Sequence, residues 1–175
     1  MTMVQSIRAE FVRYKVLAEK AIEQLDDTAL SAAAPGGGNS IATICWHVSG
    51  NLRSRFTDFL TTDGEKPWRK RDEEFEARSV TRIELREKWE AGWSVLLAAL
   101  DGLSDNDLDR TVAIRGQALS VREALLRALA HASYHVGQIV YAAKAARGAD
   151  WKYLSIAPGQ SEQYNKNPAL DTPPR

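Results

Sequence analysis

The sequence predicts an all-α protein, a four-helix bundle in which a long crossover joins the second and third helices. Apolar residues recur at steps of three and four in four separate stretches, which is typical of amphipathic helices. Segments rich in glycine, proline or charge separate these stretches, and their unequal lengths favour a bundle with a crossover. We expect one domain over residues 1–175, with an irregular C-terminal tail over 148–175.

The first helix is predicted from Met3 to Leu25, where seven apolar residues repeat at helical spacing. The segment SAAAPGGGN, over 31–39, then ends the helix because proline and consecutive glycines favour a turn. Ser40 or Asn39 would cap the second helix by accepting a hydrogen bond from a free backbone N–H. The apolar face of that helix comprises Ile41, Ile44 or Cys45, Val48, Leu52, Phe56 and Phe59.

The crossover is the strongly charged segment from Thr61 to Val80. Its charges have both signs, so we predict a solvated connection and not a binding tail. Pro67, Trp68 and Phe75 could nevertheless anchor the crossover to the body of the domain.

The third helix is predicted to begin at a capping box formed by Thr81 and Glu84. Its buried stripe comprises Leu85, Trp89, Trp93, Leu96 and Leu100. The turn-rich segment over 101–119 could contain a short hairpin around Gly116 and Gln117.

The fourth helix is predicted to begin at a second capping box, Ser120 with Glu123, and to end at Arg147 before Gly148. In the tail that follows, four apolar residues can pack against the domain, and the proline-rich end would fray. These four residues are Trp151, Tyr153, Leu154 and Ile156.

Composition narrows the class of protein. Lys plus Arg and Asp plus Glu number 23 each, so the charge favours neither a nucleic-acid partner nor an anionic membrane. The single Cys45 cannot form an intramolecular disulfide, which suits a reducing compartment. No apolar run approaches the roughly 20 residues of a membrane span, and the amino terminus lacks the apolar core of a signal peptide. We therefore expect a cytoplasmic protein.

The three histidines of the chain are the strongest functional signal. His131 and His135 lie four residues apart on the fourth helix, where that spacing stacks two imidazoles on one face. His47 lies beside the apolar stripe of the second helix. Together they predict an open, three-ligand metal site, because buried imidazoles need partners. The alternative is three ordinary core histidines, each satisfied by a hydrogen bond.

The neighbouring residues limit the chemistry of such a site. The chain has no Glu-x-x-His motif, which argues against a carboxylate-rich di-iron bundle. Ala132 follows His131, so the zinc-protease motif with its glutamate base is absent. Three neutral imidazoles suit a divalent ion such as nickel or zinc, which could activate a thiol or a water molecule.

Further residues near the histidines are weaker candidates. Asn51 could orient a ligand or a substrate, or equally be a satisfied polar group between helices. Gln138 and Tyr134 could do the same, but an ordinary helix–helix hydrogen bond and a packed tyrosine are the favoured interpretations. Gly137 within a helix suggests that another backbone passes close by. Cys45 is expected to be a small core residue. Arg53 and Arg55 could steer an anion, but solvated surface is their ordinary role.

Two motifs together resemble a known family. The segment NSIATICWHVSGNLRSRFTDFL contains His47 and HASYHVGQIVY contains the histidine pair, and together they resemble the DinB-like (YfiT-like) metalloenzyme superfamily. The crossover GEKPWRKRDEEFE and the tail LSIAPGQSEQYN resemble an uncharacterised branch of it. The resemblance implies a homodimeric four-helix bundle and a divalent metal, often nickel or zinc. The metal ligands carried over are His47, His131 and His135.

Characterised members of that superfamily include S-transferases and isomerases that use mycothiol, bacillithiol or glutathione. The resemblance therefore implies a metal-dependent thiol transferase or isomerase that acts on a small-molecule substrate. A metal-dependent hydrolase is one rival, although the helical turns beside the histidines carry no carboxylate base. A non-catalytic stress-response protein with a structural or vestigial metal site is another, and a fourth ligand such as Asp58 would favour it.

Overall fold

The computed structural model describes residues 1–168, and this part of the chain is mainly helical with a small two-stranded sheet. The prediction of a helical fold is confirmed in its main part, and the sheet is the short hairpin that the sequence indicated. The helices are α1 (Met3–Ile22), α2 (Asp27–Ser31), α3 (Ile41–Phe56), α4 (Arg82–Asp101), α5 (Val121–Arg147) and α6 (Ser161–Lys166), and the strands are β1 (Thr111–Ile114) and β2 (Gln117–Ser120).

The four long helices enclose the hydrophobic core. Helix α1 contacts α4 and α5, and α3 contacts the same two helices, so the four close into a ring. Their buried faces follow the apolar spacing of the sequence, and the whole predicted stripe of α4 is buried. Trp89 and Trp93 are the largest fully buried side chains of the described residues, and Trp93 packs edge-on against Phe11.

Local capping residues determine where the long helices begin. Ser40, Thr81 and Ser120 each cap the helix that follows, as predicted. Helix α1 ends at Ile22, three residues before the predicted end, since Asp26 caps the short additional helix α2. The sequence did not indicate α2, because five residues are too few to show helical periodicity.

The predicted hairpin exists, but its turn is one residue earlier than expected. Ile114 pairs with Gln117, so Arg115 and Gly116 form the turn, with φ angles of 55° and 70°. Their backbone N–H groups donate to the carboxylate of Asp63 at 2.8 and 2.7 Å. These bonds attach the start of the crossover to the hairpin.

The crossover is more ordered than a solvated connection, and the prediction was wrong for its central residues. Lys66 and Glu74 are only 8% exposed, and a 3₁₀ turn over Asp72–Phe75 contacts α3. The hydroxyl of Ser54 on α3 donates to the Gly64 carbonyl at 2.7 Å. These contacts place charged side chains inside the protein, where they can reach the histidines.

The tail packs only in part. Trp151 and Leu154 lie partly buried against the core, whereas Tyr153 and Ile156 are 48% and 42% exposed, contrary to the prediction. The proline-rich end that was expected to fray lies largely outside the described residues. No helix within residues 1–168 combines the length and the apolar character needed to cross a membrane.

Candidate metal centre

Helices α3 and α5 bring the three histidines together. His47 comes from α3, and His131 and His135 lie one turn apart on α5. One ligand nitrogen from each ring lies within 4.8 Å of the others. His47 and His135 are buried and His131 is half-buried, so this cluster lies at the edge of the core. His47 and His131 are 84 positions apart in the sequence, and the fold brings them side by side as predicted.

Hydrogen bonds determine which ring nitrogen of His47 is available to bind a metal ion. Its Nδ1 lies 2.9 Å from Oε2 of Glu74, and an ionised carboxylate can only accept, so Nδ1 carries the proton. In a neutral ring, Nε2 then has a free lone pair. This Nε2 lies 3.2 Å from Nε2 of His131 and faces the other two rings.

His135 is oriented in the same way from its own helix. Its Nδ1 donates to the Gln138 side-chain oxygen at 2.7 Å, so its Nε2 also has a free lone pair. That Nε2 is buried and has no hydrogen-bond partner among the described residues, and the same holds for Nδ1 of His131. A buried polar atom without a partner is costly, which indicates that a further group satisfies Nε2 of His135.

Burial keeps His131 and His135 neutral. Burial is the main reason that the pKa of His131 falls to about 3, and the nearby His135 and His47 rings lower it further. Burial likewise lowers the pKa of His135 to about 4, although its bond to Gln138 acts in the opposite direction. Neutral imidazole is the form that binds a metal ion.

The arrangement fits a divalent ion. Two nitrogens that each bind one ion at about 2.0–2.1 Å with tetrahedral angles lie roughly 3.3 Å apart. The Nε2 atoms of His47 and His131 are 3.2 Å apart, which matches this spacing, and a nitrogen of His135 lies within 4.8 Å of both rings' ligand atoms. Three imidazoles are borderline-soft ligands that suit zinc or nickel and leave a coordination position open.

Glu74 is the functional residue that sequence reasoning missed. Arg69 donates to both of its oxygens, Nε to Oε1 at 2.8 Å and Nη2 to Oε2 at 2.9 Å. Burial by itself would raise the pKa of Glu74, but the bonds from Arg69 and His47 outweigh burial and lower it. The ionised carboxylate thus holds His47 in one tautomer, as the carboxylate–histidine pairs behind many metal ligands do.

Gly50 makes room for this carboxylate. It lies one turn after His47 on α3, and a Cβ built there would be 2.0 Å from Oε1 of Glu74. The crossover can therefore place Glu74 directly against the helix that carries the ligand. Only a residue without a side chain allows this approach.

A protein-family model described as "Protein of unknown function (DUF1572)" matches residues 1–160. The chain belongs to the DUF1572 family. The matched range contains all three histidines together with Glu74, Arg69 and Gly50. A search of curated proteins finds no match.

The weaker candidates of this DUF1572 chain lie at different distances from the cluster. Gln138 contacts His135 as described above. Tyr134 is 54% exposed and its ring lies 4.3 Å from that of His135 and 5.2 Å from that of His131, so it covers the solvent side. Asn51 is half-buried and lines a cavity of about 100 Å³ beside His131. Tyr134 is thus not a packed core residue.

The prediction for Cys45 is confirmed, and the prediction for Gly137 is wrong. Cys45 is fully buried in the core, where burial raises the pKa of its thiol, as expected for a small core residue. The expectation for Gly137 is wrong, since it is exposed and a Cβ there would meet nothing within 4 Å. Gly137 lies on the outer face of α5, and no other backbone of the described residues approaches it.

The signal for Glu74 was weak in the sequence. It is one of three consecutive acidic residues in a segment of mixed charge, and the bond to His47 spans 27 positions. Phe75, which was expected to anchor the crossover, lies with its ring centroid 4.7 Å from that of His47. That anchor was the only available indication that the neighbouring Glu74 would be buried.

Proposed function

We propose that this protein binds a divalent metal ion, nickel or zinc, through His47, His131 and His135. The observation that carries the proposal is the convergence of three imidazole rings, in two of which the Nδ1 bonds to Glu74 and Gln138 leave Nε2 as the nitrogen that can bind a metal. We infer that it acts as a metal-dependent S-transferase or isomerase with a low-molecular-weight thiol and a small-molecule substrate. This assignment rests on the DinB-like resemblance.

A divalent ion at an open site lowers the pKa of a bound thiol, so that the thiolate is available near pH 7. The chain's own residues supply the environment. Glu74 and Gln138 hold His47 and His135 with their lone pairs directed inward. Tyr134 lies over the two α5 rings at the solvent side, where it can contact a substrate. In the transfer, sulfur bonds to an electrophilic carbon while the leaving group departs with the electrons of the broken bond.

Hydrolysis is less well supported, because no carboxylate within residues 1–168 joins the three histidines as a free base. Glu74 binds Nδ1 of His47, on the side of the ring away from the other two histidines. Both of its oxygens are also occupied by Arg69. The carboxylate that sequence reasoning did not find thus positions a ligand and does not activate water.

The proposal extends to the fold and assembly of a DinB-like protein. The closed ring of α1, α4, α3 and α5 supports a four-helix bundle.

A cytoplasmic homodimer is proposed from the resemblance, and the outer face of α5 supports it. There, Leu126, Tyr134 and Tyr141 are 51%, 54% and 74% exposed within an arc of about 80°. The molar mass of Tyr141→Lys, measured by light scattering, tests this surface. If the homodimer forms through it, the charged side chain should shift the protein to a monomer.

The decisive test of the metal site is elemental analysis of tag-free protein after incubation with nickel or zinc. The wild type and a Ser133→Ala control on the same helix should contain close to one metal per chain, and His131→Ala should lose it. Retention of the metal by His131→Ala would refute the site. Absence of metal from the wild type would leave three core histidines in a structural protein.

Thiol dependence is tested separately in the cobalt-substituted protein. Bacillithiol, mycothiol or glutathione should change its visible absorption spectrum if the sulfur enters the open position. A protein that binds cobalt but responds to none of the three thiols would refute the transferase proposal and leave the metal site intact.

A further inference from the structure

A second cleft lies behind the metal centre, between α3, α4 and the crossover. Its volume is about 420 Å³, within the usual range for small-molecule sites. Glu74 lines this cleft, whereas none of the three histidines does. A molecule in this space would therefore lie on the far side of Glu74 from the histidine cluster.

The cleft carries an excess of positive charge. Among its lining residues, Arg69 and Lys70 pair with the carboxylates of Glu74 and Glu73. The remaining cations are Arg53, Arg78 and Lys88, and none of them forms an ion pair with a carboxylate of the described residues. Glu76 is the one remaining carboxylate of the lining, so positive charge predominates.

The three remaining cations are held close together by two indole rings. The guanidinium carbon of Arg78 lies 4.8 Å from the Trp46 centroid, and Nζ of Lys88 lies 5.6 Å from it. Arg53 lies 5.5 Å from the ring centroid of Trp68. Cation–π contacts of this kind stabilise positive charge without neutralising it.

The proximity of these cations is unfavourable in the absence of a counter-charge. Burial lowers the pKa of Lys88, and repulsion by Arg53 and Arg78 lowers it further, although Glu74 acts in the opposite direction. The guanidinium of Arg78 is fixed by three bonds to backbone carbonyls of the crossover, at Glu73, Glu74 and Glu76. The side chains of Arg53 and Lys88 donate no hydrogen bond within residues 1–168.

We propose that this cleft is a second binding site for a small oxyanion with two or more negative charges, of the phosphate class. A fixed guanidinium and two adjacent cations with unused N–H donors match the oxygens of such a group. The lining of the cleft includes Glu74 and none of the three histidines, so the anion is bound apart from the metal position, as an anchor or effector. The site is independent of the metal and thiol proposals.

The test is isothermal titration of the full-length protein with inorganic phosphate at low ionic strength, where screening is weakest. Phosphate should bind more tightly than acetate, because three cations face it. Lys88→Gln should weaken phosphate binding about tenfold, since it removes a charged hydrogen bond. Arg86→Gln is the matched control, an exposed cation on the same helix outside this cleft, and should leave binding unchanged.

His131→Ala distinguishes this cleft from the metal centre. Phosphate binding that persists in His131→Ala and weakens in Lys88→Gln supports the cleft. Phosphate binding that is lost in His131→Ala and unchanged in Lys88→Gln would place the anion on the metal and overturn the proposal. Equal affinity of the wild type and Lys88→Gln, or no binding by the wild type, would also overturn it.

Discussion

Replacing Glu74 with glutamine tests whether this carboxylate controls the metal site. Its Oε2 accepts from both His47 and Arg69, and its Oε1 accepts from Arg69 again. An amide has one oxygen and one NH₂ group. If the NH₂ replaces Oε1, it faces an Arg69 donor at 2.8 Å, and if it replaces Oε2, His47 loses its acceptor. Either orientation also removes the negative charge behind the ligand.

Loss of such a partner behind a metal-binding histidine costs about 10–100-fold in affinity, or roughly 1.4–2.8 kcal/mol. We therefore expect the zinc dissociation constant of Glu74→Gln to rise by that factor. Competition against a chromophoric chelator measures it. Thermal unfolding of the metal-free variant establishes that the protein is folded at the assay temperature, since Arg69 also loses part of its pairing.

Glu73→Gln is the matched control for this measurement. Glu73 precedes Glu74 in the same 3₁₀ turn, and the exposed Lys70 is the ion-pair partner of its carboxylate among the described residues. Both variants remove one negative charge from the crossover, so a general electrostatic effect would change them equally. Equal dissociation constants for Glu73→Gln and Glu74→Gln would refute the role assigned to Glu74.

Three glycine substitutions give further predictions. Gly50→Ala should weaken metal binding although it changes no metal ligand, because the new Cβ would displace the carboxylate of Glu74. An unchanged metal affinity in chelator competition would contradict this. Gly137→Ala should leave metal affinity unchanged and raise stability to denaturant by about 0.5–1 kcal/mol, since the site is open and alanine favours helix. Gly92→Ala should lower the free energy of unfolding by about 1–3 kcal/mol, because the new Cβ would lie 2.5 Å from the Ser49 backbone. An unchanged denaturation midpoint would contradict the close packing of α3 on α4.

The sequence was most informative where the physical cause is local. Ser40, Thr81 and Ser120 cap their helices through bonds to backbone three residues away, so the helix starts were predictable. The hairpin turn was displaced by one residue because Arg115 adopts a positive φ that its side chain does not favour. Two bonds to Asp63, 52 and 53 positions away, support that conformation.

The sequence by itself determined that His131 and His135 share one face of a helix, since their spacing matches one helical turn. Whether His47 joins them depends on the packing of α3 against α5, which the apolar stripes indicated only in general terms. The position of Glu74 was decided by tertiary structure alone. Its burial depends on pairing with Arg69 and on the space at Gly50, contacts that no local periodicity encodes.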